Sequence, residues 1–186
     1  MTEVYLPADS QKRLLQIARQ TLTEFVRGRA RAVSQPEDPY LQADVYGAFV
    51  SLYKGEELRG CVGNCTPRRP LYETVIDVTE AAASRDSRVA PIVEFELDEI
   101  RLDITVISPL EKIAQPLDLE VGKHGLFIAR AGKRGVLLPQ VAREHGWDRE
   151  TFLAQTCVKA GLPKDAWLSA DTEVSTFTAL IIEEKS

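Results

Sequence analysis

At 186 residues, 44% hydrophobic and 27% charged, the chain has room for one substantial domain, or one domain with two lobes, and a sizeable core. A net charge of −5, with a pI near 5.2, argues against a general nucleic-acid binder, which needs a basic surface to neutralise phosphates. Three cysteines are too few, in a chain this long, for a disulfide scaffold. Free thiols in a reducing cytosol are the simpler reading. Met1 to Pro7 has no basic start leading into an apolar run, and no apolar stretch approaches the roughly 20 residues that span a bilayer. No signal peptide and a cytoplasmic location are therefore expected.

In chain order, Asp9 or Ser10 is placed to cap a helix running to about Ala32, with Leu14, Leu15, Ile17, Ala18, Leu22, Phe25 and Val26 as its apolar stripe. Lys12, Arg13, Arg19 and Arg27 fall on the opposite, solvated face. Tyr46 to Tyr53 has the β-branched and aromatic content of a strand. The Lys54-Gly55-Glu56-Glu57 turn folds it back on a second strand reaching Gly63. Pro70 opens a helix with Leu71, Val75, Val78, Thr79 and Ala82 inside, and Arg85 to Arg88 form a polar loop. Residues 91–99 show no period.

Ile100 to Ser108 alternates as a half-buried strand. A hairpin is expected about Gly132-Lys133-Arg134, and a short helix from Pro139 to Gly146. Asp148 caps a helix to about Ala160 with Phe152, Leu153 and Val158 inside, stopped by Gly161. Thr172 to Ile182 reads as one last strand. No linker separates domains, so a single domain over 1–186 is expected. Helices alternating irregularly with hairpins indicate an α+β class with largely antiparallel sheet.

One stretch is hard to explain as packing alone: Leu58-Arg59-Gly60-Cys61-Val62-Gly63. A period of two puts Leu58, Gly60 and Val62 on one face and Arg59, Cys61 and Gly63 on the other, with guanidinium and thiol roughly 6–7 Å apart. A neighbouring arginine favours thiolate, and the glycines let a ligand or another backbone come close. Against this, a free cysteine ordinarily buries as a small hydrophobe and a strand glycine often marks only a bulge. A nucleophilic Cys61 needs a base, for which His124, at the start of a strand, is the candidate. His145 sits in a helix tail and suits the helix dipole. Cys61 and Cys65 lack zinc-site spacing and no second pair follows, so no metal is expected. No cofactor motif is present either, since Gly60 to Gly63 lacks the lysine and hydroxyl of a phosphate loop. Arg68, Arg69, Arg85 and Arg88 are placed either to line an anion site or to form a solvated rim.

The hexapeptide Leu58 to Gly63 resembles the signature of the AMMECR family, with Val62 in place of the usual isoleucine. Pro67-Arg68-Arg69-Pro70-Leu71, the Arg85-Asp86 pair with Arg88, and Val121-Gly122-Lys123-His124-Gly125-Leu126 are similar to family segments. So are Leu137 to Ala142, Gly146-Trp147, and Cys157 with Gly161-Leu162-Pro163, which extends the resemblance over about residues 10–180. Cys65 is not part of it. The resemblance implies an α+β fold in two subdomains, with the hexapeptide near a cleft between them. It also implies association with a Memo-type protein and a radical SAM enzyme, the chain itself lacking the cysteine cluster of the latter.

Two function classes follow. The first is an accessory domain binding a partner or a small anionic ligand through Arg59, Gly60, Cys61, Gly63, Arg85, Asp86 and Arg88, with His124 at the rim. The second is an enzyme using Cys61 with Arg59 and His124. A nucleic-acid regulator is disfavoured by the charge balance.

Overall fold

The computed structural model describes residues 3–31 and 33–184. Backbone contacts divide the chain into two compact units. One comprises Val4–Ile107 and Leu180–Ser186; the other comprises Ser108–Ala179 together with Met1–Glu3. Helices and antiparallel strands are mixed in each, which is the α+β class expected.

In the first unit, helix α1 (Ala8–Val26) starts after Pro7 with no side-chain cap; Asp9 occupies its first turn and Ser10 is buried. The helix is shorter than expected because Gly28 ends it. At φ +66°, Gly28 donates its N–H to Phe25 O at 3.0 Å while Arg29 N–H reaches Glu24 O at 2.8 Å. Glycine makes this left-handed closure without a Cβ penalty. The expected end at Ala32 lies outside the described residues. Arg19 is not a solvated charge: it ion-pairs with Glu184 and donates to the Ile100 carbonyl at 2.6 Å.

Strands β1 (Gly47–Lys54) and β2 (Glu57–Asn64) form the expected hairpin, with Gly55 at φ +59° in its turn. Helix α2 (Leu71–Ser84) follows. Its first amides, at Leu71 and Tyr72, donate to the carbonyls of Ala43 and Leu41, which satisfies donors that a helix start otherwise leaves open. A 3-10 helix over Glu94–Glu99 fills the stretch without period and leads into β3 (Ile100–Ile107). With β8 (Ala179–Glu183), the sheet order is β2-β1-β3-β8. Ala48, Val50 and Leu52 of β1 and Leu102, Ile104 and Val106 of β3 join α1 and α2 residues in one apolar cluster. That leaves Phe49, Ser51, Tyr53, Arg101, Asp103 and Thr105 on the other face.

The second unit has β4 (Glu111–Lys112), β5 (Gly125–Arg130), β6 (Lys133–Leu137) and β7 (Glu173–Phe177), in the order β4-β7-β5-β6. Its helices are α3 (Pro139–Glu144) and α4 (Arg149–Lys159). As expected, Asp148 Oδ1 accepts from the Thr151 amide at 2.8 Å to cap α4. Three expectations are corrected. The β5–β6 turn is Ala131-Gly132, both at positive φ, so Lys133 and Arg134 belong to the strand. Val158 is 46% exposed, because the face of α4 bearing Phe152, Thr156 and Cys157 points inward. The last strand is two strands in different sheets. Between them, Thr178 exchanges bonds with Ser108: its carbonyl accepts from Ser108 N–H and its N–H donates to Ser108 Oγ, both at 3.0 Å.

Candidate functional site

The hexapeptide lies on β2, the edge strand of the first sheet. Its register with β1 is not regular. Ser51 pairs with Cys61 and Leu52 with Gly60, but Tyr53 pairs with Leu58, so Arg59 is an extra residue. This β-bulge resets the alternation. Leu58, paired with Tyr53, shares the face of Cys61, and the strict alternation expected through Arg59 does not hold.

Arg59 ion-pairs with Glu96 of the 3-10 helix, with a second bond from Nη2 to Oε2 at 3.3 Å. Only 13% and 8% of the two side chains is exposed. The guanidinium holds the Glu96 carboxyl below the usual carboxylate range, and the carboxylate raises Arg59 in turn. Glu96 Oε2 also accepts from the Val93 amide at 3.2 Å.

Each glycine of the motif answers a neighbour. A Cβ on Gly60 would stand 2.1 Å from the Ala82 carbonyl oxygen, so β2 lies directly against α2 there. A Cβ on Gly63 would stand 2.0 Å from the ring of Phe49, its partner on β1. The neighbours these glycines admit are a backbone and an aromatic ring.

Cys61 is held by its main chain. Its N–H donates to Asp86 Oδ2 at 2.9 Å and its carbonyl accepts from Arg88 Nη2 at 3.3 Å. Asp86 and Arg88 pair with each other, Nη2 to Oδ2 at 2.6 Å and Nε to Oδ1 at 2.9 Å. The loop after α2 thus supplies, from two side chains, the donor and acceptor that a further strand would give this edge. Arg88 and the bound amides hold the Asp86 carboxyl, 5% exposed, well below the usual range. Arg85 caps the C-terminus of α2 and is exposed.

The Cys61 thiol projects from the sheet face opposite the helices, half-buried, and its sulfur accepts from Ser51 Oγ at 3.3 Å. Across the sheet, Ser51 pairs with Asp103, and Tyr53 pairs with Arg101. Arg101 Nη1 reaches both Asp103 oxygens, at 2.6 and 2.7 Å, and its guanidinium carbon sits 4.8 Å above the Tyr53 ring. Burial raises the Asp103 carboxyl against the pull of Arg101. Burial likewise raises the Tyr53 phenol, opposed by the Ser51 hydroxyl beside it. A thiol, a hydroxyl, a phenol and an oriented ion pair therefore share one sheet face, a set suited to hydrogen-bonding a polar ligand around a soft nucleophile. Sequence reasoning missed Ser51, Tyr53, Glu96, Arg101 and Asp103. The outward half of the Ile100–Ser108 alternation carried a signal for two of them.

His124 belongs to the other unit. Its N–H donates to Glu120 O at 2.9 Å and its Nδ1 accepts from Glu120 N–H at 3.0 Å. An accepting Nδ1 requires the neutral ring, with the proton on Nε2. Burial lowers its pKa below the ordinary 6.5. The unfolded chain therefore binds this proton at higher pH than the fold does. The stabilisation is complete above about 6.5 and is lost as pH falls through the folded value. Urea unfolding of the wild-type chain is expected to show this loss between pH 7.5 and 5, and His124→Gln to lack it. An NMR midpoint for the His124 ring above 6.5 would contradict the assignment.

His145 caps α3, with Nδ1 2.9 Å from Val141 O and its ring 4.6 Å from that of Trp147. Burial pushes the Cys65 thiol up to about 11 and also raises Cys157. Among the described residues no group of three or more histidine, cysteine or acidic residues is arranged to hold a metal ion. No helix among them is long and apolar enough to cross a membrane.

The AMMECR1 family model matches residues 15–182. A protein of Thermococcus gammatolerans is 43% identical over 183 residues, covering 92% of this chain and 89% of its own. One from Methanothermobacter thermautotrophicus is 40% identical over 186 residues, with 96% of each chain covered. The crystal structure of the uncharacterized protein PH0010 from Pyrococcus horikoshii is similar at a TM-score of 0.85 and 38% identity, over 94% of this chain and 91% of that one.

Proposed function

The chain belongs to the AMMECR1 family, and on that premise we propose that it is a binding domain acting through the sheet face around Cys61. In this reading it serves as an accessory to a Memo-type protein and a radical SAM enzyme. One observation carries the choice of surface. Every other functional group of the hexapeptide is spent inside the fold: Arg59 on Glu96, Gly60 on Ala82, Gly63 on Phe49, and the Cys61 backbone on Asp86 and Arg88. The motif is a rigid frame, and what it displays is the Cys61 thiol with Ser51 and the Arg101–Asp103 pair. Rigid display lowers the ordering cost of binding.

The cysteine-enzyme reading asks more of the same residues. Arg59 already shares its donors with Glu96, and His124 Nδ1 already accepts from Glu120.

The test is isothermal titration of the whole chain against the Memo-type protein. Cys61→Ala and Asp103→Asn are expected to weaken association about tenfold or more, as loss of a central contact does, while Tm stays within a few degrees. Unchanged affinity in both variants would sink the proposal. Turnover of an added thioester that disappears with Cys61→Ser would favour the enzyme instead.

A further inference from the structure

A second surface lies on the solvent side of α2. An open depression of about 650 Å³ is lined by Arg31, Arg69 and Arg85, by Asp77 and Glu80, and by the partly exposed Phe25. A neighbouring one of about 290 Å³ shares Arg69 and Asp77 and adds Arg68. Both carboxylates are already neutralised from within. Glu80 accepts from Arg31 Nε and Nη2, each at 2.7 Å. Asp77 accepts from Arg31 at 3.0 Å and from Arg69 at 3.2 Å. Arg68 and Arg85 make no side-chain hydrogen bond or ion pair with any described residue. Four arginines thus face two carboxylates, a local positive excess on a chain whose net charge is −5.

The arrangement has a spacing and a pattern. Arg68 precedes α2 and Arg85 caps its far end, and the helix between them is about 20 Å long at 1.5 Å per residue. A small anion cannot bridge them. An extended peptide can, with about six residues at ~3.3 Å each. Between the two cations stand Asp77 and Glu80. Arg31 and Arg69 are already spent on them, so a continuous polyphosphate would leave its central charges without partners, whereas a peptide can keep its middle neutral and place acids only at its ends.

We propose that this groove binds an extended partner segment with acidic residues about six positions apart, which pair with Arg68 and Arg85 across a neutral middle that packs on Phe25. The site is independent of the Cys61 face.

The experiment is fluorescence anisotropy of the whole chain with a labelled seven-residue peptide, glutamate at both ends and serine and leucine between. Wild-type binding is expected, weakening as salt rises from 50 to 300 mM. Arg68→Gln and Arg85→Gln, both at exposed positions, are each expected to lower affinity about threefold, and the double variant about tenfold. A version with lysine at both ends is expected not to bind. Equal binding by the double variant or by the lysine peptide would overturn the proposal. So would no binding at millimolar peptide, or tighter binding of a six-nucleotide single-stranded DNA, the last pointing to nucleic acid instead.

Discussion

Glu96→Ala is expected to destabilise the chain by about 3 kcal/mol, the usual cost of stranding one partner of a buried ion pair. The substitution leaves the Arg59 guanidinium, 13% exposed, without its carboxylate, and it also removes the acceptor of the Val93 amide. The double variant Arg59→Met, Glu96→Leu is expected to recover most of the loss, because two well-packed apolar side chains replace the pair without leaving a charge behind. Urea unfolding of the three chains checks this. Recovery no better than that of the single variant would mean that the pair does more than satisfy itself. The pH dependence has a definite sign. Glu96 ionises below its ordinary 4.5 in the fold, so its contribution is present above that value and is lost as pH falls through the folded one. Glu96→Ala should flatten the acid limb.

Gly60→Ala is expected to cost about 3 kcal/mol, at the upper end of overpacking effects. That corresponds to a Tm lower by roughly 10 °C in a chain of this length. The severity comes from what the new methyl meets. At Gly60 it is the main-chain oxygen of Ala82 at 2.1 Å, carried by α2 and unable to turn aside. At Gly63 it is the Phe49 side chain, with Cγ at 2.3 Å, which can clear the methyl by changing its χ1 rotamer without moving the backbone. Gly63→Ala should therefore be the milder of two chemically identical changes, and calorimetry on both decides it. Equal shifts would show that α2 and β2 part more easily than their packing implies.

These positions mark where the fold was legible from sequence and where it was not. Local chemistry read well. Gly55 between two β-rich runs gave the hairpin, the Ile100–Ser108 alternation gave β3, and Asp148 and Gly161 bracketed α4. What failed depends on partners distant in the chain. A bulge is defined by the opposing strand, so nothing within Leu58 to Gly63 announced that Arg59 would be the extra residue. Glu96 stood in a stretch without period, 37 positions from the arginine it binds. Thr172 to Ile182 read as one strand because β propensity does not record that the chain leaves one sheet for another at Thr178. The candidate site draws on Cys61, Asp86 and Arg88, which hydrogen bonds bring together at the β2 edge. Its remaining members sit on β1 and β3 and are joined to it only by cross-strand register.

That crossing at Thr178 has a consequence for synthesis. The second unit is spliced into the first: β3 ends at Ile107 and β8 resumes the four-stranded sheet at Ala179. On the ribosome, β2, β1 and β3 emerge early, but β8 emerges only after more than seventy further residues have been made. Until then β3 presents an open edge, the kind of exposed strand that invites pairing with another nascent chain. The inserted unit, complete before β8 appears, can fold first and return the chain at Thr178 beside Ser108. Translation order thus favours the insertion as the earlier-folding half, although it comes later in the sequence.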